Sequence, residues 1–142
     1  MSGREELEEG STLTPGFDAN GLIPAICTDA ETGEVLMFAW MNREALEITI
    51  RTGTACYYSR SRGKLWRKGE TSGNTQNVVE LRTDCDQDVI WMRVEQTSGA
   101  CHTGRKSCFY RSIPIGAGSI EEVELQQTNG ERLFNPKDIY GA

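Results

Sequence analysis

The sequence predicts a mainly β domain with one clear helix, an α+β protein in which the helix is the minor part. Three observations carry this. Short apolar runs of strand length recur between turn residues. One segment alone combines a helical apolar period with a cap at each end. Fifteen glycines punctuate the rest. At 142 residues the chain suits a single domain and can bury a core without disulfide staples.

Residues 1–14 hold Glu5, Glu6, Glu8 and Glu9 without an apolar period, so residues 1–16 read as a flexible acidic tail. Order is expected from Phe17, and residues 17–113 form the domain. Residues 22–28 and 35–41 are strand-length apolar runs. Asp29 and Gly33 between them suit a hairpin connection. Pro24 lacks a backbone donor, which predicts an edge position for the first run. Asn42 reads as a helix N-cap, Glu44 sits in the first turn and Gly53 lies just past the end. Ala45, Leu46, Thr49 and Ile50 would form its apolar face. Residues 54–59 return to strand character, residues 60–63 turn, and residues 64–68 complete a second hairpin. Residues 70–74 are a loop between that hairpin and two further strands, 76–83 and 89–95. Residues 97–104 read as a loop and 107–113 as a last core strand. Residues 114–142 are acidic and dotted with glycine, an extension expected to pack Leu133, Phe134 and Tyr140 on the domain.

The composition narrows the class. No apolar run approaches the roughly 18 residues of a membrane span, and the acidic start lacks the apolar core of a secretory leader. Five cysteines cannot close a complete disulfide framework, which favours a reducing, cytoplasmic setting. The net charge of −6 argues against nucleic acid as a partner. Yet Arg60, Arg62, Lys64, Arg67 and Lys68 cluster without an intervening acid. A basic stretch on an acidic background suits a small phosphorylated anion, the alternative being an exposed charged hairpin. Thr71, Ser72 and Asn74 place further donors close to it.

Two constellations hold potential chemistry. Asp84, Asp86 and Asp88 alternate with Cys85 and Gln87, so in an extended chain the three carboxylates would share one face and Cys85 the other. Such a trio is either a solvated acidic loop or a site for a hard cation such as Mg²⁺ or Ca²⁺. It is not an EF-hand, because the sixth position is Val89 where that loop needs glycine. The second constellation is Cys85, Cys101, His102 and Cys108. Cys101 and Cys108 lie in a polar, glycine-rich stretch, a poor place for mere core filling. Three thiolates on zinc with a fourth position left to water would make a catalytic site. Cys27 and Cys56 lie in strand runs and read as packing. His102 is the only histidine. It reads as a proton carrier, with a fourth zinc ligand as the alternative.

Together these pieces resemble the phosphoribosyl-AMP cyclohydrolase family of histidine biosynthesis. The resemblance rests on Trp40-Met41-Asn42 leading the helix, Tyr58-Ser59-Arg60-Ser61-Arg62, Leu65-Trp66 with Lys68-Gly69, Thr71-Ser72-Gly73-Asn74, the aspartate cluster and residues 99–110. It implies a hydrolase that opens the adenine ring of 1-(5-phosphoribosyl)-AMP at the N1–C6 bond with zinc-activated water. Zinc would be held by Cys85, Cys101 and Cys108, and magnesium by Asp84, Asp86 and Asp88, with His102 catalytic. Arg60, Arg62, Lys64, Trp66, Lys68, Thr71, Ser72 and Asn74 would bind substrate. The resemblance also implies a small folded-sheet pseudobarrel in an intertwined homodimer whose zinc sites take Cys85 from one chain and Cys101 and Cys108 from the other. No second catalytic domain is expected in a chain of this length, and the stretch after Pro114 matches no family motif. Two other classes compete: a zinc-dependent nucleoside or nucleobase deaminase, and a non-catalytic metal-stabilised module. The H-x-E signature of the deaminases is absent, since Thr103 and Gly104 follow His102.

Overall fold

In the computed structural model, residues 2–128 and 133–140 are described. Six strands make one sheet that curls into a half barrel, in the order β4-β3-β2-β1-β6-β5. They are β1 (Ile23–Asp29), β2 (Val35–Met41), β3 (Cys56–Ser59), β4 (Lys64–Arg67), β5 (Gln76–Thr83) and β6 (Ile90–Gln96). Neighbours are antiparallel except β1 and β6, which run parallel with Ala25 opposite Ile90. The mainly β, α+β reading therefore holds.

Strand alternation builds the core. Ile23, Ala25 and Cys27 of β1 are buried, as are Ile90, Met92 and Val94 of β6. Helix α2 (Arg43–Thr52) covers this layer between β2 and β3. Asn42 Oδ1 accepts a hydrogen bond from the Ala45 N–H at 2.8 Å, and Gly53 closes the helix at φ 73° in the left-handed region. The Thr49 hydroxyl donates to the Ala45 carbonyl and accepts from the Cys56 N–H at 3.0 Å, tying the helix to β3. The buried face is Ala45, Leu46, Ile48 and Thr49. Ile50, expected on that face, is 52% exposed, because the helix rotates Ile48 toward the sheet instead.

Three further expectations change. Pro24 lies in a strand flanked on both sides, not at an edge. The ladder to β6 begins only at Ala25, one residue later, so that neighbour asks no donor of the proline. Residues 107–113 form no core strand. The Ser107 hydroxyl donates to the Val35 carbonyl at 2.6 Å and the Cys108 N–H to the Leu36 carbonyl at 2.7 Å, after which the chain leaves the sheet. This is possible because β3 pairs with β2 only at Trp40–Tyr58, leaving the start of β2 free. The remaining strand, β7 (Arg111–Ser112), pairs with β8 (Gln126–Gln127) in a separate ribbon. Finally, the acidic N-terminal stretch contains helix α1 (Gly3–Glu9), capped by the Ser2 hydroxyl and favoured by Glu5 and Glu6 in its first turn. It buries no residue, which is why no apolar period announced it. No helix among the described residues is long and apolar enough to cross a membrane.

Candidate functional site

A cavity of about 360 Å³ opens where four segments far apart in sequence converge, the last of them reaching it at Tyr140. Arg62, Trp66, Lys68, Thr71 and Ser72 come from the second hairpin and the loop after it. Ala100, His102 and Cys108 come from the cysteine loop, and Phe38 from β2.

Each wall has a local cause. The turn between β3 and β4 is closed by the Gly63 N–H donating to the Ser59 carbonyl at 2.8 Å, while Ser59 Oγ accepts from the Arg62 N–H. Behind it, Gly69 at φ 89° lets the loop fold on itself; a Cβ there would lie 2.7 Å from the Thr75 nitrogen. The cysteine loop is drawn tight at Gly99, where a Cβ would lie 2.6 Å from the Arg105 carbonyl oxygen. The Ala100 N–H donates to Lys106 O at 2.9 Å and the Cys101 N–H to Arg105 O at 3.2 Å, closing the loop. Lys106 itself is held by Asp29 at 3.2 Å and Glu34 at 3.1 Å on the first hairpin.

The basic stretch divides. Arg62 lines the cavity. Arg60 instead lies over the Trp40 ring at 4.8 Å, and Lys64 is exposed outside the lining. Lys68 is only 4% exposed, and its Nζ donates to the Ala100 carbonyl at 2.8 Å. Burial pulls its pKa down, opposed by the neighbouring thiols of Cys108, Cys101 and Cys27. A residue read as part of a solvated phosphate grip is thus chiefly a strut under the cysteine loop. Asn74 is buried with its Nδ2 unpartnered among the described residues, an orphan donor at the end of the loop 70–74.

Cys101 and Cys108 act on each other. The hydrogen bond from Cys108 holds the Cys101 thiol well below its ordinary pKa, helped by the Thr103 hydroxyl, which donates to Cys101 Sγ at 3.0 Å. The same contact and burial push Cys108 up. Of the two, Cys101 is the thiol that ionises more readily. Cys27 and Cys56 are fully buried in the core, and burial pushes Cys27 up to about 12, as befits inert packing thiols.

The aspartates are brought together by a turn, not by the extended chain expected. β5 ends at Thr83, and Asp84 Oδ1 accepts from the Asp88 N–H at 2.9 Å and the Val89 N–H at 3.0 Å. Gln87 takes φ 58° and is buried, its side chain accepting from the Thr14 N–H and donating to the Leu7 carbonyl. One oxygen from each of Asp84, Asp86 and Asp88 then falls within 4.8 Å of the others, all on the surface. Hydrogen bonds with Asp84 and Asp86 push Asp88 up to about 6, so the trio keeps a proton longer than an isolated carboxylate. This trio is the only group of three or more candidate ligands so clustered among the described residues; Cys85 does not join Cys101 and Cys108 within one chain.

Sequence reasoning missed Phe38, Glu70 and Tyr140 as cavity residues. The place of Phe38 in an apolar strand was a usable signal; Tyr140, expected to pack on the domain, lies beyond every recognised motif and nothing pointed it to the cavity.

A family model described as phosphoribosyl-AMP cyclohydrolase matches residues 37–110, which include every cavity-lining residue but Tyr140, the aspartate trio and the cysteine loop. A protein of that name from Nitrobacter winogradskyi is 55% identical over 145 residues, covering 100% of this chain and 99% of its own. Another from Bradyrhizobium diazoefficiens is 57% identical over 95% of this chain and 94% of its own. A third, from Rhodopseudomonas palustris, is 56% identical over 96% and 90%. Matches that run through the whole fold and through every cavity-lining motif establish that this chain is a hydrolase belonging to the phosphoribosyl-AMP cyclohydrolase family.

Proposed function

We propose that the protein acts in histidine biosynthesis, in a cytoplasmic setting, hydrolysing 1-(5-phosphoribosyl)-AMP at the N1–C6 bond of the adenine ring. The observation that carries this is the convergence of Arg62, Trp66, Thr71 and Ser72 with His102 and Cys108 around one cavity. Cations and hydroxyls suited to phosphate thereby face an acid–base group and a thiol.

The donor sets fit two metals. Cys101 and Cys108, paired in one loop with the Cys101 thiol lowered by the contact, are soft ligands suited to zinc. Cys85 would complete the set from a second copy of the chain, because within one chain it stands apart from the other two. The homodimer is thus part of the proposal. Asp84, Asp86 and Asp88 are hard oxygen ligands suited to magnesium. When bound, zinc supplies Lewis-acid activation of water near neutral pH, and magnesium supplies charge for orienting an anionic substrate.

The chain's own residues do the rest. Arg62, Thr71 and Ser72 bind phosphate oxygens, and Asn74 offers its unpartnered N–H. Phe38 and Trp66 present apolar walls to the heterocycle. His102 accepts a proton as water adds to C6 and returns one toward N1 as the C–N bond breaks. The test is an ultraviolet assay of phosphoribosyl-AMP with protein reconstituted with zinc and magnesium. Ring opening is expected; no turnover by protein with full metal content overturns the reading.

A further inference from the structure

One wall of the cavity comes from the extension that no recognised motif covers. Tyr140 ends helix α3 (Pro136–Tyr140) and lines the cavity with Phe38, Trp66, Lys68 and His102. Its arrival there is built, not incidental. The N–H groups of Leu133 and Phe134 both donate to the Gly104 carbonyl, two residues after His102. Gly104 in turn donates its N–H to the Cys101 carbonyl at 3.0 Å, so the extension is fastened to the cysteine loop itself. Phe134 is half-buried at this anchor. Asn135 then caps the short helix, its side chain accepting from the Lys137 N–H at 3.0 Å, with Pro136 in the first helical position.

The extension does not dock along its whole length. Ile115 is 98% exposed and Ile120 is 88% exposed, so its apolar residues are not drawn to the domain indiscriminately. Besides the β7–β8 ribbon, it meets the domain through the stretch that runs from the Gly104 anchor to Tyr140. Tyr140 itself stays 46% exposed, so its ring is not core filling. It stands at the cavity as a third aromatic surface beside Phe38 and Trp66, with the Arg62 cation in the same lining. That composition suits a flat heterocycle carrying anionic groups.

We propose that residues 133–140 form a strap, anchored at Gly104, that presents the Tyr140 ring as a substrate-contacting surface for the heterocycle. This rests on the cavity being the substrate site argued above. The test compares wild type, Tyr140→Ala and Tyr140→Phe on phosphoribosyl-AMP, with zinc content and melting temperature measured alongside. Loss of the ring is expected to raise KM about tenfold with kcat within about twofold, as for lost aromatic contact with a base. Tyr140→Phe keeps the ring and should hold KM within about twofold of wild type. Wild-type KM in Tyr140→Ala overturns the strap's role and leaves the proposed function standing. Equal KM losses in both variants, accompanied by equal falls in melting temperature, also overturn it, since they point to a structural role. No turnover by metal-loaded wild type overturns the proposed function and this inference together.

Discussion

Lys68 Nζ reaches across 32 residues of chain to hydrogen-bond the Ala100 carbonyl at 2.8 Å. This contact joins the basic hairpin to the cysteine loop, so the two sides of the cavity are not free to move apart. Lys68→Met keeps most of the volume but leaves the carbonyl unpaired in a buried place. We expect a stability loss of about 1–3 kcal/mol, read by denaturant unfolding, together with reduced turnover. Unchanged stability with a raised KM alone would return Lys68 to a phosphate-binding role.

Cys101 and Cys108 are expected to hold zinc as thiolates. Cys101→Ser or Cys108→Ser replaces a soft anionic donor with a neutral hydroxyl. Each variant should purify with little zinc and nearly no turnover, measured by elemental analysis beside the ultraviolet assay. Full zinc content and full activity in either would exclude the assignment.

His102 lines the cavity as an exposed side chain next to a buried thiol. His102→Ala should lower kcat roughly 10²–10⁴-fold, the scale of lost proton transfer, while zinc stays bound. A variant that purifies without zinc would identify His102 as a ligand instead.

The two arginines of the turn should now behave differently. Arg62 lines the cavity, whereas Arg60 covers the Trp40 ring at 4.8 Å. Arg62→Ala should raise KM about tenfold or more, as when a charge-assisted contact is removed, and Arg60→Ala should change it far less. Steady-state kinetics on both decide it, and equal effects would place both on the substrate.

The separation of Cys85 from Cys101 and Cys108 within one chain makes a complementation experiment decisive. If the chain forms the proposed homodimer, Cys85→Ser and Cys101→Ser proteins should each be inactive alone. Unfolded together and refolded with zinc under reducing conditions, half the dimers are mixed and each has one whole site. Activity should recover to about a quarter of the refolded wild type by this symmetry count. Persistent inactivity despite demonstrated chain exchange would rule out a shared site.

The elements legible in the sequence are those whose causes lie within a few residues. Helix α2 was readable from Asn42 to Gly53 because both caps are local hydrogen-bonding and φ requirements. The hairpins at Gly33 and Gly63 were readable because turn chemistry is local too. The aspartate trio and the cysteine loop stood out by residue type alone. What escaped depends on partners far along the chain. Ser107 and Cys108 meet the free start of β2 instead of forming a strand, a matter of how little of β2 the short strand β3 covers. Pro24 sits inside the sheet because the parallel ladder from β6 starts one residue beyond it. Lys68 looked like one more solvated cation until the Ala100 carbonyl, distant in sequence, offered it a buried acceptor. Tyr140 reaches the cavity from a chain anchored at Gly104, 36 residues away in sequence. Periodicity and capping register what a residue's near neighbours demand. Which distant surface covers a strand edge or a charge is decided only when the chain closes on itself.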